Sequence, residues 1–486
     1  MKFMCLPSYE HVEKGDCICV LPVAKGQFLC DETESLPRLV HDVLPSCSDM
    51  TKGSVREVFT PQGFFLLVDV GYDVQQKEYA HNEVRKAYAS VARMCHSRGW
   101  SRLAVFPPSL GVSKPIGAMT EGLIFPNYAF NRYKSKKKAP FSLIEEIVWI
   151  GGESEHCIPW AQKSLVLLDA MNLTRDLVNE NANVVNSSYL VKVAKEFQQE
   201  NVRVTVWGKE EIEEHNMGLL LAVNAGSAYP PALIMIEYNP HLEEPHCLFV
   251  GKGVTFDSGG LNLKPTNFIE DMRSDMGGAA TLLGAMKAWI DLGIKKRVSV
   301  AIPVTDNAIG NRSMSPGDVY RSSKGVSVEI ANTDAEGRLI LADAMEITIE
   351  RLKPDFVVDI ATLTGAAAVA VGEHCVAMFA NEKAQSRAQS LQDLSVILDE
   401  PVWPMPLMQE YNEQLKSERA DVKNCGGRYG GAITAALFLE RFVSDLPWIH
   451  LDIAGPSYLK QGRGCHPKEA TGFGVALLAR WIESEF

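Results

Sequence analysis

Two stretches of this sequence gather residue types that can do chemistry. The first is Val250-Gly-Lys-Gly-Val-Thr-Phe-Asp-Ser-Gly-Gly260, followed by Lys264, Asp271, Arg273 and Asp275. A short apolar strand ends at Val250, and parallel α/β sheets bind ligands just beyond such strand ends. The glycines let the backbone turn sharply and approach a ligand. A phosphate-cradling loop is one reading, but Asp257 and Asp275 would repel a phosphate unless a metal intervened. The second stretch is a β-rich run, 326–330, then Asn332-Thr-Asp-Ala-Glu-Gly-Arg-Leu339, then a helical pattern. Asp334 and Glu336 are two apart, and extended backbone would aim both to one side. Alone they read as acids decorating a helix N-terminus. Together the two loops supply four carboxylates, Asp257, Asp275, Asp334 and Glu336, with Lys252, Lys264 and Arg338 as counter-charges. Carboxylate clusters without histidine suit Mg²⁺, Mn²⁺ or Zn²⁺. Shared carboxylates can bridge two such ions about 3.5–4 Å apart, lowering the pKa of a bridging water and polarising a substrate oxygen.

The elements around these loops read as α/β. From Val202 onward, apolar strands at 232–238, 247–250 and 298–304 alternate with helical segments, clearest at 278–292 and 341–352. Near-continuous apolar strands of this kind imply a largely parallel sheet with helices on both faces. Residues 1–150 read as a smaller N-terminal α/β domain, with strands at 17–23 and 63–70 and a helix at 83–98. Residues 151–178 read as a linker helix region opened by Gly151-Gly152, and 179–486 as the larger catalytic domain. A net charge of −12 disfavours nonspecific nucleic-acid contact, although Lys134-Ser-Lys-Lys-Lys138 forms a local basic run. Eleven scattered cysteines without a CxxC pair fit a reducing compartment. Neither a signal-peptide core at 1–7 nor a bilayer-length apolar stretch occurs, so a soluble, cytoplasmic protein with no membrane partner is expected.

The same residues carry a family resemblance. Asn332–Leu339 (NTDAEGRL), Gly251–Gly260 (GKGVTFDSGG) and Asp275–Ala280 (DMGGAA) match blocks of the cytosolic leucyl aminopeptidase (bacterial aminopeptidase A) family. Asp359–Gly365, Asn424–Arg428 and His450–Gly455 fit as well, and the match runs from about Asn172 to Leu478. The resemblance implies a dinuclear site in which Asp257 and Glu336 bridge two ions, Mn, Zn or Mg. Lys252, as a neutral amine, and Asp275 would complete the tighter site, and Asp334 the exchangeable one. Lys264 would polarise the scissile carbonyl, and Arg338 would hold a bicarbonate acting as general base. Met272, Asp275, Thr362, Leu363, Gly365 and Ala454 match positions that receive the substrate's first residue. Ser457 stands where some members have Met, and Asp306–Ile309, Ser315 and Asn181 depart from the usual pattern without touching a ligand position.

The leading expectation is a metal-dependent aminopeptidase that releases leucine-like N-terminal residues from peptides, assembled as a homohexamer. A DNA-binding accessory or regulatory role rests on the 134–138 run alone. Dinuclear phosphoester hydrolysis is a third reading that the metal chemistry leaves open.

Overall fold

The computed structural model describes residues 1–6, 12, 17–24, 27–29, 49–60, 63–73, 78–108, 115–135, 143–151, 154–243 and 245–485. Within the basic run, residues 136–138 lie outside the described residues. The chain forms two compact units, Met1–Asp169 with Gln461–Pro467, and Ala170–Lys460 with Lys468–Phe486. The helix Ser154–Asn179 runs through the division between them.

The first unit is built on a sheet whose strands run in the order Lys2–Leu6, Glu146–Ile150, Arg102–Val105, Ile18–Ala24, Gly63–Asp69 and Val55–Thr60. All neighbours are parallel except the last pair. Every residue of Ile18–Ala24 is buried, as expected for a strand inside a parallel sheet. The helix His81–Arg98 buries Val84, Ala87 and Val91 on one stripe and ends at Gly99, whose φ of 75° permits the left-handed cap.

The second unit centres on parallel strands Val298–Asn307, Cys247–Gly251, Phe356–Ala361 and Trp448–Asp452. Gly253–Asp257 adds a parallel pairing to the far end of Val298–Asn307. Antiparallel strands Val202–Trp207 and Ala232–Tyr238 extend one flank, and Val376–Ala380 pairs antiparallel on the other. Cys247–Gly251, Phe356–Ala361 and Trp448–Asp452 are buried throughout. Alternate residues of one strand feed opposite faces: Leu248 and Val250 join a core with Leu341 and Met345 of the helix Gly337–Leu352. Phe249 points the other way, 5.2 Å from the ring of Trp289 in the helix Gly277–Asp291. The expected α/β architecture, a mostly parallel sheet covered on both faces, is the one observed. Among the described residues, no helix is long and apolar enough to cross a membrane.

Candidate active site

The chemistry-bearing residues sit where the central strands end. Lys252 follows Cys247–Gly251 and its amide donates to Ile360 O, which fixes the backbone between two parallel strands. Its side chain passes so close to the start of the Gly337–Leu352 helix that a Cβ on Gly337 would lie 2.5 Å from Lys252 Cε. Asp257 is the last residue of Gly253–Asp257. Beyond it Gly259 and Gly260 adopt φ of 86° and 64°, folding the chain back so that Lys264 faces Asp257. Asp275 caps the short 3₁₀ turn Met272–Ser274, immediately before the Gly277–Asp291 helix.

Asp334 and Glu336 do converge, by a different route from the extended backbone expected. Residues 333–334 form a turn, with Asp334 N bonded to Asn332 Oδ1 at 2.8 Å, and Glu336 is the N-cap of Gly337–Leu352 with helical dihedrals. Oxygens of Asp257, Asp334 and Glu336 come within 4.8 Å of one another. Lys252 Nζ lies 2.8 Å from Asp275 Oδ2, 3.0 Å from Glu336 Oε1 and 2.9 Å from Thr362 O. Lys264 Nζ lies 2.8 Å from Asp257 Oδ2 and 2.6 Å from Asp334 Oδ1.

Burial dominates the titration of these groups. It pushes Glu336 up to about 8, with the Asp257 carboxylate adding to the effect and Lys252 opposing it. Burial likewise lifts Asp275 to about 6 despite the Lys252 ammonium, and raises Asp334, where Asp257 again adds repulsion. For the two lysines burial works against the charge, but the surrounding carboxylates outweigh it and hold both pKa values above the usual amine range. As arranged, Lys252 is an ammonium, and it must lose that proton to serve as a ligand.

This donor set suits divalent cations. Three carboxylates within 4.8 Å repel one another, and Glu336 Oε2 is buried without a hydrogen-bond partner. Arg338 is 6% exposed; Nη1 donates to Asn424 O at 2.8 Å, whereas Nε is buried without a partner. Burial lowers its pKa from the ordinary guanidinium value, partly offset by Glu336 and Asp452. The arginine therefore has a donor to spare for an anion.

The expected ligands, their counter-charges and the expected pocket positions line one cavity of about 730 Å³, whereas Asp271 and Arg273, also singled out from the sequence, do not. Lys252, Asp257, Asp275, Asp334 and Glu336 form its charged floor, with Lys264 and Arg338 beside them. Met272, Thr362, Leu363, Gly365, Ala454 and Ser457 form its wall. A second cavity, about 880 Å³ and lined by Lys383, Met405 and Asp445, has no comparable carboxylate cluster, and Lys383 and Asp445 pair with each other.

Sequence reasoning missed the residues that hold this set in place. Asn307 Nδ2 donates to Asp257 Oδ1 at 2.8 Å and to Thr333 O at 3.0 Å, tying the two carboxylate loops together. Asn424 accepts from Ala331 N and Asn332 N and donates to Asn332 O and Ala335 O. Asp452 accepts from Leu363 N at 3.1 Å, Ala454 N at 3.2 Å and Thr364 Oγ1 at 2.7 Å. The only signal for Asn424 and Asp452 was their place in matching blocks; Asn307 fell in a stretch that departs from the usual pattern and was expected to touch no ligand position, an expectation its bond to Asp257 corrects.

Residues 172–479 match the catalytic domain of the cytosol aminopeptidase family, and residues 51–137 match that family's N-terminal domain. The chain belongs to the cytosol aminopeptidase family. It is 40% identical over 419 residues to a probable cytosol aminopeptidase of Protochlamydia amoebophila (strain UWE25), covering 84% of this chain and 83% of that one. It is 34% identical over 499 residues to a probable cytosol aminopeptidase of Brucella ovis, covering 98% and 97%. Among solved structures, a tomato leucine aminopeptidase mutant matches with a TM-score of 0.86 at 29% identity, over 99% of this chain and 96% of that one. The bottromycin maturation enzyme BotP in complex with Mn matches with a TM-score of 0.83 at 29% identity, over 97% of this chain and all of that one. Membership makes the chain an aminopeptidase hydrolase of a metal-dependent family, and the acidic cluster at the strand ends is where a metal fits.

Proposed function

We propose that this aminopeptidase uses two divalent ions, Mn, Zn or Mg, to release leucine-like residues from peptide N-termini. The observation that carries the reading is the convergence of Asp257, Asp334 and Glu336 within 4.8 Å, beside Lys252, Lys264 and Asp275 in one cavity. Asp257 and Glu336 would bridge the ions, Lys252 and Asp275 would complete one site, and Asp334 the other. Bound there, the ions supply Lewis acidity and a water acidic enough to attack at neutral pH.

The chain's own residues supply the rest. Asp275, held by Thr362 Oγ1 at 2.8 Å, anchors the substrate's free α-amino group, which an internal peptide bond cannot offer. Lys264 donates to the carbonyl oxygen as it gains charge. Arg338 would hold a bicarbonate with its spare Nε donor, and that anion would supply a general base beside the acidic floor. Met272, Thr362, Leu363, Gly365 and Ala454 form a largely apolar seat for the first side chain, contributing roughly 1.5–3 kcal/mol when a leucine is fully buried.

The test is hydrolysis of a leucyl chromogenic amide after EDTA dialysis, with Mn²⁺, Zn²⁺ or Mg²⁺ added back. Wild type should regain turnover with metal, while Asp334→Ala and Lys264→Ala lose it by orders of magnitude. Unchanged turnover in either variant refutes the assignment. The same preparation should sediment as a hexamer, the assembly implied by the family resemblance; monomer alone would overturn that part.

A further inference from the structure

One carboxylate of the cavity has no part in the hydrolytic chemistry. Glu373 follows the helix Gly365–Val371 and Gly372, is exposed, and lines the same cavity as the charged floor. Its backbone rests directly on the turn that carries Ala454 and Ser457: a Cβ on Gly455 would lie 2.7 Å from Gly372 O and 3.2 Å from Glu373 Cα. Ser457 in turn faces the amine-anchoring end. A Cβ on Gly277 would lie 3.5 Å from Ser457 Cβ and 3.1 Å from Thr362 Cγ2, and Thr362 bonds Asp275. A continuous wall therefore runs from Asp275 through Thr362, Ser457 and Ala454 to Glu373.

Among the described residues Glu373 has no ion-pair partner. Lys460 is near enough to feel its charge, but the Lys460 ammonium is taken by Asp271. We propose that Glu373 is a specificity-determining residue that admits peptides whose first side chain is long and cationic, lysine or arginine, beside the leucine-like ones. The inference rests on the proposed reading that Asp275 anchors the α-amino group. A fully enclosed apolar pocket would reject a cation, because desolvating the charge is costly. Here the methylenes of such a side chain lie along Met272 and Ala454 while its charged end stays wet at the rim. Ser457, a small residue, keeps the path along the wall short of bulk.

The experiment measures kcat/KM for arginyl, lysyl, leucyl and methionyl amides of one fluorophore, with wild type, Glu373→Gln and Glu373→Lys. Ratios within each preparation cancel differences in active fraction. The arginyl-to-leucyl ratio should fall about two- to fivefold in Glu373→Gln, the strength of an exposed ion pair, and further in Glu373→Lys. The loss should appear in KM, as expected for binding energy shared by ground and transition states. In wild type, the ratio should also fall at about 1 M salt, where exposed charges are screened. Ratios unchanged in both variants, with leucyl amide still cleaved, overturn the role of Glu373 and leave the aminopeptidase reading standing. A folded, metal-loaded wild type that cleaves none of the four amides overturns that reading and this inference with it.

Discussion

Asn307 is the residue whose replacement most directly tests how the acidic site is held. Its side chain is 2% exposed at the end of Val298–Asn307, and Nδ2 donates to Asp257 Oδ1 and Thr333 O. Asn307→Leu keeps the branched shape, with somewhat bulkier ends, and removes both donations. A bond to a charged group is worth about 1.5–3 kcal/mol and a neutral one about 0.5–1.5, so the loss should total about 2–4.5 kcal/mol. Asp257 Oδ1 keeps Gly259 N at 2.8 Å, which favours the lower half of that range. Urea unfolding in EDTA reads this stability without metal. Because Asp257 would lose one of the two donors to its Oδ1, the metal concentration giving half-maximal leucyl-amide hydrolysis should rise about 10–100-fold. Asn307→Asp should be worse than leucine at pH 8, since a second carboxylate then faces Asp257, and should recover toward pH 5 as a proton is shared. An Asn307→Leu protein within about 0.5 kcal/mol of wild type, with unaltered metal dependence, would refute the idea that this amide fixes the site.

Two further outcomes follow from buried carboxylates away from the proposed metal ligands. Asp452→Ala leaves the amides of Leu363 and Ala454 without their acceptor, at about 1–3 kcal/mol each; thermal unfolding should show a large loss, and an unchanged midpoint would mean the loops hold themselves. Asp343 accepts from Leu219 N, Leu220 N and Ser323 N, and burial lifts it to about 8 against those donors. Unfolded aspartate titrates near 3.9, so between about pH 4 and 8 the folded chain holds the extra proton and stability falls as pH rises, on the order of 5 kcal/mol in all. Urea titrations at intervals from pH 5 to 8.5 should show that slope in wild type and a shallower one in Asp343→Asn, whereas equal slopes would exclude Asp343 as the source.

The site was legible because its chemistry is written in residue types. Four acids and two lysines clustered in glycine-rich loops after apolar strands have few uses other than cation binding, and each of them lines the cavity. The local geometry was harder to read. The two-residue spacing of Asp334 and Glu336 fits an extended segment on paper, yet the turn at 333–334 and the helix N-cap bring them together instead. The residues that hold the loops were hidden for another reason. Asp452 lies in the fully buried strand Trp448–Asp452, and its partners include the main-chain amides of residues 363 and 364, 89 and 88 residues away. Nothing about a backbone N–H distinguishes one residue type from another, so no sequence pattern announces such a contact. The largely parallel sheet was readable from Cys247–Gly251 and its neighbours, while the antiparallel flanks at Val202–Trp207 and Val376–Ala380 follow from pairing choices that apolar runs do not encode.

That same indifference bears on how the enzyme can diverge. Asp452 grips the amides of Leu363 and Ala454 through bonds that involve neither side chain, and Thr364 through both its amide and its hydroxyl. Mutations at Leu363 and Ala454 can therefore change what the cavity accepts while these backbone bonds stay put, whereas Thr362, whose hydroxyl holds Asp275, is not free in that way. A lineage could change the first residue it accepts by single substitutions at such positions.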